Sequence, residues 1–102
     1  MMTHAVLLRI RREVPKQEVE RIFAELAAMQ DKVPGMLSFA GGPYSSGEGL
    51  NKGFTHGFVM SFRDAAARDG YLAHPAHEAV KGHVLEVLEG GIDGAVAFDF
   101  ES

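Results

Sequence analysis

Polar and apolar positions alternate from residue 4 to residue 12: His4, Val6, Leu8 and Ile10 fall on one face, and Ala5, Leu7, Arg9 and Arg11 on the other. A period of two predicts a strand. From Pro15 the period lengthens, and Val19, Ile22, Phe23, Leu26 and Met29 recur at helical spacing as one apolar stripe. Pro15 suits a helix start because no N–H is needed there, and Glu18 and Glu20 lie near the positive end of the helix dipole. Val33-Pro34-Gly35 stops this helix, and Met36 to Ala40 forms a short second strand. A glycine-rich connection, GGPYSSGEGLNKG at residues 41–53, is too polar to pack. Alternation then resumes from Phe54 to Phe62, with Phe54, His56, Phe58, Met60 and Phe62 sharing a face. Asp64 can cap the next helix, in which Ala67 and Tyr71 fall one turn apart. His74-Pro75 interrupts that helix, since a residue before proline is pushed out of the helical region. Pro75 starts another helix with His77, Val80, Val84 and Leu88 along one side. Gly90-Gly91 ends it, and Ile92 to Phe100 is a last strand on which Val96, Phe98 and Phe100 face together.

The order β-α-β-β-α-β, with its second helix split in two, predicts an α+β fold of ferredoxin-like type: one antiparallel sheet with helices on a single face. At 102 residues the chain is expected to form a single domain spanning 1–102, with no internal repeat or linker. The bulky set Val6, Leu8, Ile10, Phe54, Phe58, Met60, Phe62, Phe98 and Phe100 is expected under the helices. The smaller set Ala5, Leu7, Gly57, Val59, Ala95 and Ala97 is expected on the other face, where no helix remains to cover it. Large exposed apolar patches mark contact surfaces. A second copy packed sheet to sheet would cover this one, which predicts a homodimer in the form of a barrel, self-associating through Ala5, Leu7, Val59, Ala95 and Ala97.

Composition narrows the function classes. Hydrophobic residues make up 46% and charged residues 24%, within the ordinary globular range. A net charge of −4 argues against a nucleic-acid partner. The cluster Arg9, Arg11 and Arg12 reads as a solvated strand end. Absence of cysteine excludes disulfides, thiolate metal sites and a cysteine nucleophile. The first apolar run is too short for a signal sequence, and no segment reaches transmembrane length, so no membrane partner is expected and the cytoplasm is the default compartment.

Candidate chemistry concentrates between Phe54 and His77, which holds three of the five histidines and one of the two tyrosines. Imidazole and phenol move protons near neutral pH without a metal. Two readings of His56 and His77 stand side by side. They are core histidines satisfied by hydrogen bonds, or they form the polar wall of an apolar ligand cavity. On the second reading His77 is a general base acting next to a carbonyl, Tyr71 holds or protonates the enolate oxygen, and His56 orients one of them. Phe58, Val80 and Phe98 would line the cavity. His4 and His56 start antiparallel strands at opposite ends, so they are expected to flank the cavity without touching. His74 reads as a cap and His83 as solvent-facing. No metal site is expected: the proline bend separates His74 from His77, and no carboxylate completes a set. Residues 47–53 match neither nucleotide-binding glycine spacing, and a strand follows them where a helix should.

The segments THAVLLRI, VPG, GLNKGFTHGFVMSF, YLAHPAH and AFDFES together resemble the stress-responsive dimeric α/β-barrel (Dabb) family over nearly the whole chain. HPAH with a tyrosine three residues before it is the most specific part. The resemblance implies a small homodimer. It is distantly similar to a plant branch of polyketide cyclases that close a ring by intramolecular aldol chemistry without a cofactor. In that branch the residues matching Tyr71 and His77 act on the substrate, and those matching His4 and His56 line the pocket. The same residues also occur in members for which no cyclase role is known. The resemblance therefore implies a pocket for a small carbonyl or aromatic ligand, with no cofactor. The alternatives are a non-enzymatic structural stress protein and, third, a haem-dependent monooxygenase of the kind other dimeric barrels supply.

Overall fold

The computed structural model describes residues 1–102. Its elements are β1 (Met2–Leu8), α1 (Lys16–Ala28), β2 (Met36–Pro43), β3 (His56–Phe62), α2 (Ala65–Ala73), α3 (Pro75–Val87) and β4 (Ala95–Glu101), with short 3₁₀ turns at Met29–Asp31 and Gly91–Gly94. The strands form one antiparallel sheet in the order β2-β3-β1-β4. This is the expected ferredoxin-like α+β architecture, split second helix included.

Local chemistry explains the breaks. Asp64 accepts a hydrogen bond from the Ala67 N–H at 2.9 Å and so caps α2. His74 is extended, as a residue before proline must be, and its Nδ1 accepts from the Ala76 N–H at 3.0 Å to cap α3. Gly35 sits at φ 84°, and a Cβ there would come within 2.6 Å of Ala67, so only glycine lets the turn into β2 pass so close to α2.

Several strand boundaries differ from the sequence expectation. β1 ends at Leu8, because the Arg9 N–H donates to the Gly94 carbonyl, the Arg11 N–H donates to the Val87 carbonyl, and Ile10 bridges Leu88. The chain there leaves the sheet to tie down the end of α3. β2 runs on through Gly41 and Gly42 to Pro43. β4 begins only at Ala95, after the 3₁₀ turn.

The larger correction concerns the faces of β4. Its register pairs Leu8 with Ala95, Val6 with Ala97 and His4 with Asp99, while Leu7, Ala5 and Thr3 oppose Val96, Phe98 and Phe100. Opposed residues in an antiparallel pair share a face. Ala95 and Ala97 therefore lie on the helix side of the sheet, and Phe98 and Phe100 stand on the open face, Phe98 with 67% exposure. Alternation alone shows that Val96, Phe98 and Phe100 belong together; it carries no information on which side they face, and side-chain size points to the wrong one.

The core lies between sheet and helices. Leu8, Met60 and Phe62 of the sheet pack with Ile22, Leu26 and Met29 from the first helical segment and Tyr71 from α2, all essentially inaccessible. Phe23, Phe39 and Phe58 form an aromatic cluster with ring centroids 5.9 to 6.4 Å apart.

Candidate functional site

The small side chains of β4 leave space beneath α3. A cavity of about 260 Å³ opens there, lined by His4, Val6, Phe58, Tyr71, His77 and Val80 among others, with Ala95 and Ala97 on its β4 side. Phenylalanines at 95 or 97 would have filled it.

Three polar rings meet at this cavity. Tyr71 and His77 are brought together by the helix break: Tyr71 closes α2, His77 opens α3, and their ring centroids are 4.6 Å apart. His4, from β1, places its ring 5.9 Å from Tyr71 and 6.2 Å from Phe58. Tyr71 is buried, and burial pushes its hydroxyl up to about 12, so at neutral pH it is a phenol that can donate a proton or a hydrogen bond. Burial also lowers His77 below its ordinary value of 6.5, against the opposing pull of the Leu72 carbonyl and Glu78. His77 Nδ1 donates to the Leu72 carbonyl at 3.1 Å, which fixes the tautomer and leaves Nε2 with its lone pair. A neutral imidazole acceptor thus stands beside a protonated phenol.

His4 is held by a network the sequence does not disclose. Its Nδ1 donates to Asp99 Oδ1 at 2.7 Å, and Arg68 Nη1 donates to Asp99 Oδ2 at 2.7 Å. Burial alone would raise the Asp99 carboxyl, but the hydrogen bonds from Arg68 and His4 prevail and hold it below its ordinary value. With Nδ1 engaged, His4 keeps Nε2 for the cavity. Asp99 stands out in the sequence as the one charge amid Ala97, Phe98 and Phe100, and Arg68 lies one turn before Tyr71. Only the register that sets His4 opposite Asp99 joins them.

Two expected lining residues are elsewhere. Phe98 is on the open face, for the reason given above. His56 pairs with Leu8 while His4 pairs with Met60, so the two histidines lie four positions apart along β1. At ~3.4 Å per residue that separates them by well over 10 Å. His56 packs against Phe23 at 5.8 Å, and its Nδ1 meets Thr55 Oγ1 at 2.8 Å. It cannot orient Tyr71 or His77. Outside the cavity, His83 is exposed and pairs with Glu25 at 2.8 Å, while the Tyr44 hydroxyl accepts from the Gly49 N–H at 3.0 Å within the long connection. No three His, Cys, Asp or Glu side chains gather as a metal-binding group, and no helix is long and apolar enough to cross a membrane.

The stress-responsive A/B barrel domain family is matched by residues 2–102 of this chain. The chain belongs to that family. Among A/B barrel relatives, the stress-response A/B barrel domain-containing protein HS1 of Arabidopsis thaliana is 26% identical over 98 residues, covering 96% of this chain and 86% of HS1. A dimeric ferredoxin-like protein of unknown function from Jannaschia sp. CCS1 superposes with a TM-score of 0.90 at 29% identity, covering 99% of this chain and 98% of that one. A hydroxynitrile lyase from Passiflora edulis superposes with a TM-score of 0.86 at 19% identity, covering 97% and 90%. At that identity the lyase shares the A/B barrel fold and nothing finer.

Proposed function

We propose that this A/B barrel protein works as a homodimer whose cavity binds a small carbonyl-containing or aromatic molecule, on which Tyr71 and His77 perform cofactor-free acid–base chemistry. One observation carries the reading: a neutral imidazole and a buried phenol, their ring centroids 4.6 Å apart, share the wall of a mainly apolar cavity of about 260 Å³, with His4 and Lys81 as its other polar members. In an aldol closure His77 Nε2 removes a proton from the carbon next to a carbonyl, while the Tyr71 hydroxyl donates a hydrogen bond to the developing enolate oxygen. The carbanion adds to a second carbonyl of the same molecule. The imidazolium returns its proton to the new alkoxide, so nothing is gained or lost. His4, held by Asp99, presents a second imidazole at the same wall.

The dimer rests on the open face of the sheet, where Leu7, Val59, Val96, Phe98 and Phe100 are exposed together around Ala5. A patch of this character favours a partner, and the Jannaschia relative is described as dimeric. Ala95 and Ala97, on the helix side, take no part in this contact.

Thermal shift against a panel of phenols and polyketide-like lactones tests the site. A ligand at a hundredfold excess over its Kd stabilises the folded state by about 2.7 kcal/mol, a rise of roughly 10 °C or more for a domain of this size. The Tyr71→Phe/His77→Ala double variant, and Ala97→Leu, which fills the cavity, are both expected to lose that rise. Equal stabilisation of wild type and variants sinks the ligand-site reading. A second reading, a structural stress-protection role, is favoured by the His4–Asp99–Arg68 network, which ties β1, β4 and α2 together. It requires that function follow stability alone, whichever of these side chains is changed.

A further inference from the structure

A second and larger cavity, of about 570 Å³, lies beyond the ends of β1 and β3, between the start of α1 and the Gly41–Pro43 end of β2. Its volume is in the range of small-molecule sites. It is separate from the Tyr71 cavity. Phe23 lines the larger one, Phe58 lines the smaller, and the two rings meet edge to face with centroids 6.3 Å apart, so this aromatic pair stands between them.

The lining is amphipathic in an ordered way. Ile10, Val14, Val19 and Phe23 supply apolar walls, of which Ile10 and Val19 are buried. Arg11, Arg12 and Lys16 are the cations, against one carboxylate, Glu20. That is a local positive excess in a chain of net charge −4. The three cations are not equivalent. Arg11 is engaged by Glu13 at 3.2 Å and by the Glu86 carbonyl, and Lys16 lies 3.8 Å from Glu20. Arg12 enters no ion pair and no side-chain hydrogen bond. A free guanidinium fork beside an apolar hollow matches a carboxylate on an apolar body: the fork takes the two oxygens, and the hollow takes the hydrocarbon.

We propose that this cavity is a binding site for a small organic carboxylate with a medium-chain or aryl body, its head on Arg12 with Lys16 beside it and its body against Val14, Val19 and Phe23. Arg12 then has a task that a solvated strand end does not give it.

Octanoate and its neutral counterpart octanol, titrated into the ¹⁵N-labelled full chain, test this. Octanoate is expected to shift the backbone amides of residues 10–14, 16–23, 41–42 and 55–56 saturably, and to leave those of 77–85 in place. Octanol should bind at least about tenfold more weakly, and Arg12→Glu should weaken octanoate by a similar factor, a difference of ~1.4 kcal/mol for each tenfold. Both Arg12 and Lys16 are exposed, so the variants Arg12→Glu and Lys16→Glu should melt as wild type does. Equal affinity for octanoate and octanol, indifference to both charge reversals, shifts confined to 77–85, or no shifts at all would each overturn the proposal. Shifts confined to 77–85 would put octanoate in the Tyr71 cavity; the other results leave the Tyr71/His77 reading to its own variants.

Discussion

On the helix-facing side of the sheet Met60 and Phe62 are completely buried, whereas on the opposite side Leu7, Val59, Val96, Phe98 and Phe100 stand open to solvent. Both faces are apolar, and both belong to the same four strands. The difference lies in what the chain itself can cover. Its three helices reach one face only, and they pack on it with Ile22, Leu26 and Tyr71. The covered face is therefore a core in the monomer, and the open face is a surface that gains from a partner. The cavity belongs to the covered face, at the one place where the sheet presents alanines instead of large side chains. The proposed function thus depends on an imperfection in the packing that holds the fold together.

The largest effect is expected on the covered side. Phe62→Ala is expected to cost about 3–5 kcal/mol, since a closed core leaves a cavity that cannot collapse; urea unfolding reads this directly. A loss below ~1 kcal/mol would mean that Phe62 is not a core residue.

Asp99 lies beside the Tyr71 cavity, and its effect should be intermediate. Asp99→Asn weakens two charge-assisted hydrogen bonds and is expected to cost about 1.5–3 kcal/mol. The pH dependence has a definite sign. The folded carboxyl lies below its ordinary 3.8, so between those values the unfolded chain binds more protons. The stability Asp99 contributes is present above 3.8 and is lost as pH falls through the folded value. His77, lowered below 6.5, works in a separate window: its contribution is present above 6.5 and declines as pH falls below that. Burial also lowers His56, which shares the upper window, so stability measured against pH should show both declines in wild type, a shallower upper one in His77→Ala, and only the upper one in Asp99→Asn. A wild-type curve flat from pH 7 to pH 5 would refute the lowering of both histidines by burial.

The open face should give the smallest effect on the fold and the largest on assembly. Phe98→Asp replaces an exposed side chain, so the protomer is expected to lose no more than about 0.5 kcal/mol. The same change places a desolvated charge in the proposed sheet-to-sheet contact, and light scattering should show a monomer. A dimer that survives Phe98→Asp would place the contact elsewhere.

Some of the site was legible beforehand. Tyr71 and His77 converge because His74-Pro75 must break the helix between them, and the proline rule makes that visible in the residues alone. The separation of His4 from His56 also followed from antiparallel strands. The assignment of Phe98 to the cavity and of Ala95 and Ala97 to the dimer face failed together, from one cause. A period of two sorts β4 into two sets of residues, and nothing within β4 says which set faces in. The Asp99 and Arg68 partners of His4 were hidden for the same reason, because each pairing crosses between elements.

Alternation, helical spacing, proline and glycine positions and cap residues are local, and each acts within a few residues of backbone. They determined the order of elements, the α+β class and the break that joins phenol to imidazole. Register and layer packing set residues nearly a hundred positions apart against one another, as in His4 and Asp99. Those contacts decided which face of β4 is turned to the helices, where space remains beneath α3, and which strand histidine joins Tyr71 and His77 there. A one-residue slip of β4 leaves its sequence pattern unchanged and inverts every side chain it presents.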